Sequence, residues 1–436
     1  MAQLFAVQFP QNINTNLIYD TEKEYYRPLR DSDFFGGDSI TNPSKDAFGR
    51  QRVSNPFTLF DSSHRYKDNN LWNTATTGTA SAVFDSNAGL IDLNVDNTID
   101  SEVIRETTKV FSYQPGKSLL IMNTFVMQSA KTGLRQRVGY YGASNGIYIE
   151  LANSILYIVK RTSVSGVLVD TRIAQSSWNN DALDGTGPSS ITLDISKAQI
   201  LYMDIEWLGV GNVRVGFVIN GQFVLCHVFY HANLITSTYI TTASLPLRYE
   251  IKNTAATSGN STLKQICSTV ISEGGYELRG LQQAISIPIT TPRTLATAGT
   301  YYPIVSIKLK TATLDAIVVM TALSMMGIAN GVNYNWQIRA SGTTTGGSWI
   351  SAGTDSSVEY NISGTSFTGG RILASGYINS SNQGSPSIDI LREALFKFQL
   401  ERNGLTSTPY ELTLVAAAGS INESIFASLD WEEVSR

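Results

Sequence analysis

The chain has 436 residues, more than one hydrophobic core ordinarily fills, so two domains plus an extension is the expectation. Its 32 basic and 36 acidic residues nearly cancel to a formal charge of −4, and without a Lys/Arg-rich block the electrostatic footprint of a nucleic-acid-binding protein is missing. Only 16% of residues are charged, and the abundant Gly, Ser, Thr and Asn suit strands, turns and assembly interfaces better than exposed helices.

The first residues, "MAQLFAVQFP", lack the basic start, apolar run and small-residue cleavage site of a secretory signal, so export is not expected. Residues 1–75 show little periodicity and mix Asn, Asp, Pro and Gly with isolated aromatics. Such a segment cannot by itself bury enough surface to offset its chain entropy. It is expected to lie as a strap on the body of the protein, or to act as an extended docking arm whose Phe34, Phe35, Phe48, Phe57, Phe60 and Trp72 anchor it to neighbouring subunits.

Over residues 76–284 the pattern becomes short alternating or apolar runs separated by turn residues, among them "GIYIELANSILYIVKRT", "ILYMDIEWLG" and "NVRVGFVINGQFVLCHVFYHA". Length and β-branched content make these strands. Asn220-Gly221 is a strong hairpin signal, because a type I′ turn needs positive φ at both central positions. Many short strands without intervening helices predict an antiparallel sandwich.

Residues 285–300, with Pro288, Pro292 and a Thr/Ala/Gly cluster, read as a linker. Residues 301–436 form a second strand-rich region and a second β-sandwich; a short helix is expected only in "SIDILREAL", with Ser387 as its cap. The run from Ala316 to Ala329 is too short to span a bilayer and is a core strand or buried helix, so membrane insertion is not expected. Cys226 and Cys267 make no disulfide framework, although a single bridge between them is open.

Alternation on a strand places Tyr202, Asp204 and Glu206 on one face and Met203, Ile205 and Trp207 on the other. Neighbours on one face lie about 6.6–7 Å apart, and a retaining glycosidase needs carboxylates about 5–5.5 Å apart, so side-chain rotamers could close that gap. The residues Asp204, Glu206 and Trp207 resemble part of the catalytic strand of laminarinase-type and xyloglucan-transferase-type glycosidases. The nucleophile's position in that pattern is Tyr202, and a phenol there would need extra activation. No catalytic residues are therefore assigned and the chain is expected not to be an enzyme. Asp204, Glu206 and Trp207 remain the candidate carbohydrate site, and Arg214 and Arg248 the candidate partners of the two carboxylates.

His227 and His231 share a strand face roughly 13 Å apart, too far to bind one metal unless the strand bends. No Walker loop, dinucleotide fingerprint or serine elbow stands in a credible context. Neither metal nor cofactor is expected.

Three stretches carry a wider resemblance: "NPSKDAFGRQRVSNPFTLFDSSHRYKDNN" in the arm; residues 146–233 followed by "LPLRYEI"; and "YYPIVSIKLKTATLDAIVV" with "SSVEYNISG" and "SIFASLDWEEV". Together they make the chain similar to virion structural proteins of tailed bacteriophages, especially phages of aquatic bacteria. The resemblance implies a lectin-like jelly-roll sandwich with the loop "WNNDALDGTGPSS" packed on it. It also implies virion localisation after assembly in the host cytoplasm, other virion proteins as partners, and a homo-oligomer, by analogy with phage appendages a trimer. The expected role is a tail, neck or baseplate component, fibre or fibre attachment, docked by its arm. The alternatives are a capsid decoration (cement) protein and a receptor-binding module for a host surface glycan.

Overall fold

The structure is a computed structural model that describes residues 55–380 and 398–435, together with three short strands nearer the N-terminus. It divides into two compact units, Met1–Asn55 and Pro56–Arg436. In the first, Leu4–Phe5, Leu17–Asp20 and Tyr25–Pro28 form a three-stranded antiparallel sheet. Phe34, Phe35 and Phe48, and the helix expected in "SIDILREAL", lie outside the described residues.

The second unit is all-β: among the described residues there is no α-helix, and every strand pair is antiparallel. Its N-terminal half is a sandwich. A seven-stranded sheet has Leu134–Tyr141 and Leu247–Asn253 at its centre. An eight-stranded sheet runs from Gln222–Phe229 through Val213–Ile219, Gln199–Ile205 and Leu119–Val126 to Ser261–Ser272 and beyond. Alternate residues of both sheets, such as Val138, Ile149, Leu201, Met203, Phe217 and Tyr249, are fully buried in one core, as the two-residue repeat of a sandwich strand requires. Asn220 and Gly221 have φ of 52° and 76° and join strands in the register Ile219↔Gln222, the two-residue hairpin that their sequence indicates.

The boundary at 75/76 is corrected. Phe57–Ser63 pairs with Ser261–Ser272, and Trp72–Thr77 pairs with Glu102–Thr107, so both strands belong to the sandwich. Phe60 and Trp72 are core residues: their rings lie 6.0 Å apart, and Trp72 stands edge-on to Tyr249 at 5.7 Å. Only Phe57 is partly exposed, beside Tyr276. Their long-range partners turn supposed arm anchors into packing.

The C-terminal half is a second sandwich. One sheet holds Leu281–Ser286, Arg293–Leu295 and Ile317–Gly327, all paired with Glu423–Ser435. The other centres on Tyr302–Leu309, Glu411–Ala418 and Asn333–Thr345. Trp431, Tyr334 and Leu414 are fully buried between them. The apolar run at 316–329 is thus a core strand. Of the expected linker, 285–300, Ile285 and Ser286 end the strand Leu281–Ser286 and Arg293–Leu295 is a further short strand, both paired with the C-terminal strand, while residues 287–292 and 296–300 are turns and irregular backbone.

The two sandwiches are stitched together by residues 398–410. Gln399 Nε2 donates to Val110 O at 2.8 Å, Arg402 N to Thr108 O at 2.8 Å, and Asn73 Nδ2 to Arg402 O at 2.9 Å. At the centre Glu106, 1% exposed, accepts from Arg402 Nη1 at 2.7 Å and from Arg248 Nε at 2.9 Å. Val110, Ile317 and Val319 form a small apolar cluster beside it. Backbone and charge both cross this junction, so the halves are held in a fixed relation.

Candidate functional site

The Gln199–Ile205 strand sends Leu201, Met203 and Ile205 into the core and Tyr202 and Asp204 outward, with Glu206 just past its end. Its neighbour Val213–Ile219 brings Arg214 opposite Asp204, and the two form an ion pair. Arg248, the other candidate partner, lies on the opposite sheet bound to Glu106. Burial pushes the Asp204 carboxyl above its ordinary value, against the pull of the guanidinium. Glu206 is exposed, and its N–H donates to Asn212 O at 3.1 Å, closing the turn at 206–212.

Tyr202 faces Gly216, where an added Cβ would meet the Tyr202 ring at 2.8 Å and would also strike Val224 O. Glycine therefore leaves room for the ring to lie flat on the neighbouring strand, with Phe223 edge-on at 4.9 Å. Burial raises the phenol to about 12. The residue in the nucleophile's place is packed and protonated.

Asp204, Glu206 and Arg214 line a cavity of about 570 Å³ with Lys117, Asn180 and Tyr230. Asn180 is placed by the 178–190 loop, which caps the edge strand Gln222–Phe229. Asn179 Oδ1 accepts from Val228 N and its Nδ2 donates to Val228 O, both at 2.9 Å, so one side chain copies a strand neighbour. Trp178 anchors the loop, its indole stacked on Phe217 at 6.5 Å. Tyr230 is exposed where the edge strand ends.

The sequence-derived trio separates. Trp207 points the other way into a cavity of about 400 Å³, its Nε1 donating to Ile240 O at 3.3 Å and its ring edge-on to Tyr113 at 5.7 Å. Lys117, Asn180 and Tyr230 are the members that sequence reasoning missed. They arrive from other loops through long-range pairings that no local pattern encodes.

Among the described residues no group of three or more His, Cys, Asp or Glu could hold an ion. A carbonyl can only accept, so His231 Nδ1 donates to Gly211 O at 2.7 Å, and its bare Nε2 accepts from Lys160 Nζ at 3.0 Å. The ring stacks on Tyr239 at 4.0 Å. Cys226 and Cys267 are free thiols.

Burial lowers both His231 and His64 from 6.5 to about 4, helped by Lys160 and Arg105 respectively. Both are neutral in the fold and charge more readily when unfolded, so their stabilisation is complete above about 6.5 and is lost as pH falls towards 4. Denaturant midpoints should therefore drop between pH 7 and 5, and His64→Leu, whose ring nitrogens make no hydrogen bond, should flatten that dependence. An unchanged slope in the variant would remove His64 as a source.

No family model matches the sequence, and no curated protein matches it. The structure is similar to Bacillus licheniformis beta-glucanase at 12% identity and a TM-score of 0.32, covering 48% of this chain and 96% of that one. It is similar to the Emp47p carbohydrate recognition domain at 11% identity and a TM-score of 0.33, covering 50% and 96%. Peanut lectin is matched at 11% identity and a TM-score of 0.27, covering 50% and 98%.

Proposed function

We propose that this chain is a non-enzymatic structural component of a tailed-phage virion, in the tail, neck or baseplate region, whose first sandwich recognises a host-surface glycan. The observation that carries the recognition reading is the cleft of Asp204, Glu206, Arg214, Asn180 and Tyr230. It sets planar donors and acceptors around an open hollow with one exposed ring. A sugar presents hydroxyls that both give and accept hydrogen bonds, together with an apolar face for that ring.

Binding without hydrolysis follows from the same residues. Tyr202 is packed across Gly216 and Asp204 is committed to Arg214, which leaves Glu206 as the exposed carboxylate. The displacement mechanism of most glycoside hydrolases uses two carboxyl groups free to act. The locked junction between the sandwiches suits a rigid element that carries a receptor site away from its attachment. Homotrimerisation and contacts with other virion proteins come from the sequence resemblance.

A glycan array probed with the wild-type chain and with Glu206→Gln tests the recognition. The expected result is binding to a restricted set of glycans, weakened roughly tenfold or more by the substitution; equal signals for both proteins would remove this cleft. Immunogold electron microscopy with antibody against residues 301–436 tests the location. Label at the tail, collar or baseplate is expected, and label spread over the head would replace this position with capsid decoration.

A further inference from the structure

The Asp204/Glu206 cavity does not stand alone. A second hollow of about 400 Å³ is lined by Lys117, Tyr113, Pro115, Glu277, Arg279 and Val434. The third, also about 400 Å³, is the one that holds Trp207, together with Tyr113, Pro115, Asp315 and Val434. Lys117 borders the first and second, and Tyr113, Pro115 and Val434 border the second and third. The 113–118 turn is the common wall of all three. Adjacent residues at the strand's end face opposite ways, so Glu206 supplies the hollow on one side of that turn and Trp207 the hollow on the other.

We infer that the three hollows form one groove around the 113–118 turn, and that its ligand is a linear, uncharged oligosaccharide long enough to touch both Tyr230 and Trp207. This rests on the recognition reading above and adds the ligand's length and charge class. Two observations carry it. Aromatic rings stand at both ends, the exposed Tyr230 in the first hollow and the half-buried Trp207, backed by the buried Tyr113, in the last, where sugar rings can stack. The charges between them are mixed: Asp204, Glu206, Glu277 and Asp315 alternate with Lys117, Arg214 and Arg279, and several are already paired. A polyanion would meet carboxylates along the whole path and gain little from the cations.

The last hollow also joins the sandwiches, with Thr241, Thr242 and Ser244 contributed by the first and Asp315, Ala316 and Val434 by the second. A chain of sugars reaching it would contact both halves of the unit, whereas a short one would contact the first sandwich only.

The test is calorimetric titration of the whole chain with the disaccharide and the hexasaccharide of the best array ligand, and with an alginate oligosaccharide as polyanion. The expected result is hexasaccharide binding at least roughly tenfold tighter than the disaccharide, with no alginate binding. Asp315→Trp, an exposed position whose bulk would fill the last hollow, should abolish the gain with length and leave disaccharide affinity unchanged. Equal affinity for both lengths, or a length gain untouched by Asp315→Trp, would overturn the groove while leaving the cleft intact. Preferential alginate binding would overturn the charge class. Absence of any sugar binding would overturn the recognition reading itself.

Discussion

Glu106→Ala is expected to lower the stability of the two-sandwich unit by about 3–5 kcal/mol, the cost of breaking a buried ion pair by removing one partner. The carboxylate is 1% exposed and serves Arg248, on its own sheet, and Arg402, from the segment that ties in the second sandwich. Deleting it leaves two arginines, Arg248 and Arg402, 7% and 6% exposed, facing one another with no anion between them. The Arg402 guanidinium would keep its bond to Thr107 O at 3.1 Å. Because this site joins the halves, the loss should appear as decoupling: one urea transition in the wild type and two in the variant. Glu106→Gln, which keeps acceptors in place, should lose less. An unchanged midpoint and a single transition in Glu106→Ala would show that the apolar cluster and the backbone bonds hold the junction without the charge.

Arg137→Met should cost a comparable amount, at the low end of the about 3–5 kcal/mol range because each carboxylate retains another cation. Arg137 Nε donates to Glu150 at 2.6 Å and Nη1 to Glu250 at 3.3 Å, with its guanidinium 5.2 Å from the Tyr148 ring centre. Glu150 keeps Arg172 at 2.6 Å, and Glu250 keeps Arg135 at 2.7 Å. Burial pushes Glu250 up, and Arg137 and Arg135 more than offset it, so its carboxyl sits below the ordinary value in the fold. A lowered carboxyl stabilises the fold above its unfolded value, about 4.3, and that contribution is lost as pH falls through the lower folded value. Without Arg137 burial is less opposed, so acid unfolding should start at higher pH than in the wild type. Acid titration of both proteins by tryptophan fluorescence would show it; coincident curves would mean that Arg135 alone sets Glu250.

The strand series was legible because side chains alternate with period two and turns carry Gly and Asn. Asn220-Gly221 is the clearest case, since positive φ is demanded at both positions. The outward direction of Asp204 followed from the same alternation; of its two candidate partners Arg214 pairs with it, whereas Arg248 is bound to Glu106 on the opposite sheet. What a local pattern cannot show is which distant strand a segment joins. "FTLFDSS" alternates poorly and reads as arm, yet it pairs with Ser261–Ser272, and Leu281–Ser286 reads as the approach to a linker, yet it pairs with the C-terminal strand. The same limit hid Lys117 and Asn180 from the site. Alternation already puts Trp207 on the face opposite Glu206, and the structure keeps them apart, so grouping the two in one site went against the pattern itself.

The most direct test of the account is calorimetry of the wild-type chain and Glu206→Gln with the array's strongest glycan, with reducing ends assayed in the same samples. The expected result is saturable binding by the wild type, a loss of roughly tenfold or more in the variant at an unchanged melting temperature, and no release of reducing ends by either. Equal binding by the two proteins would contradict the assignment of the cleft, and release of reducing ends by the wild type but not by the variant would make it a hydrolase.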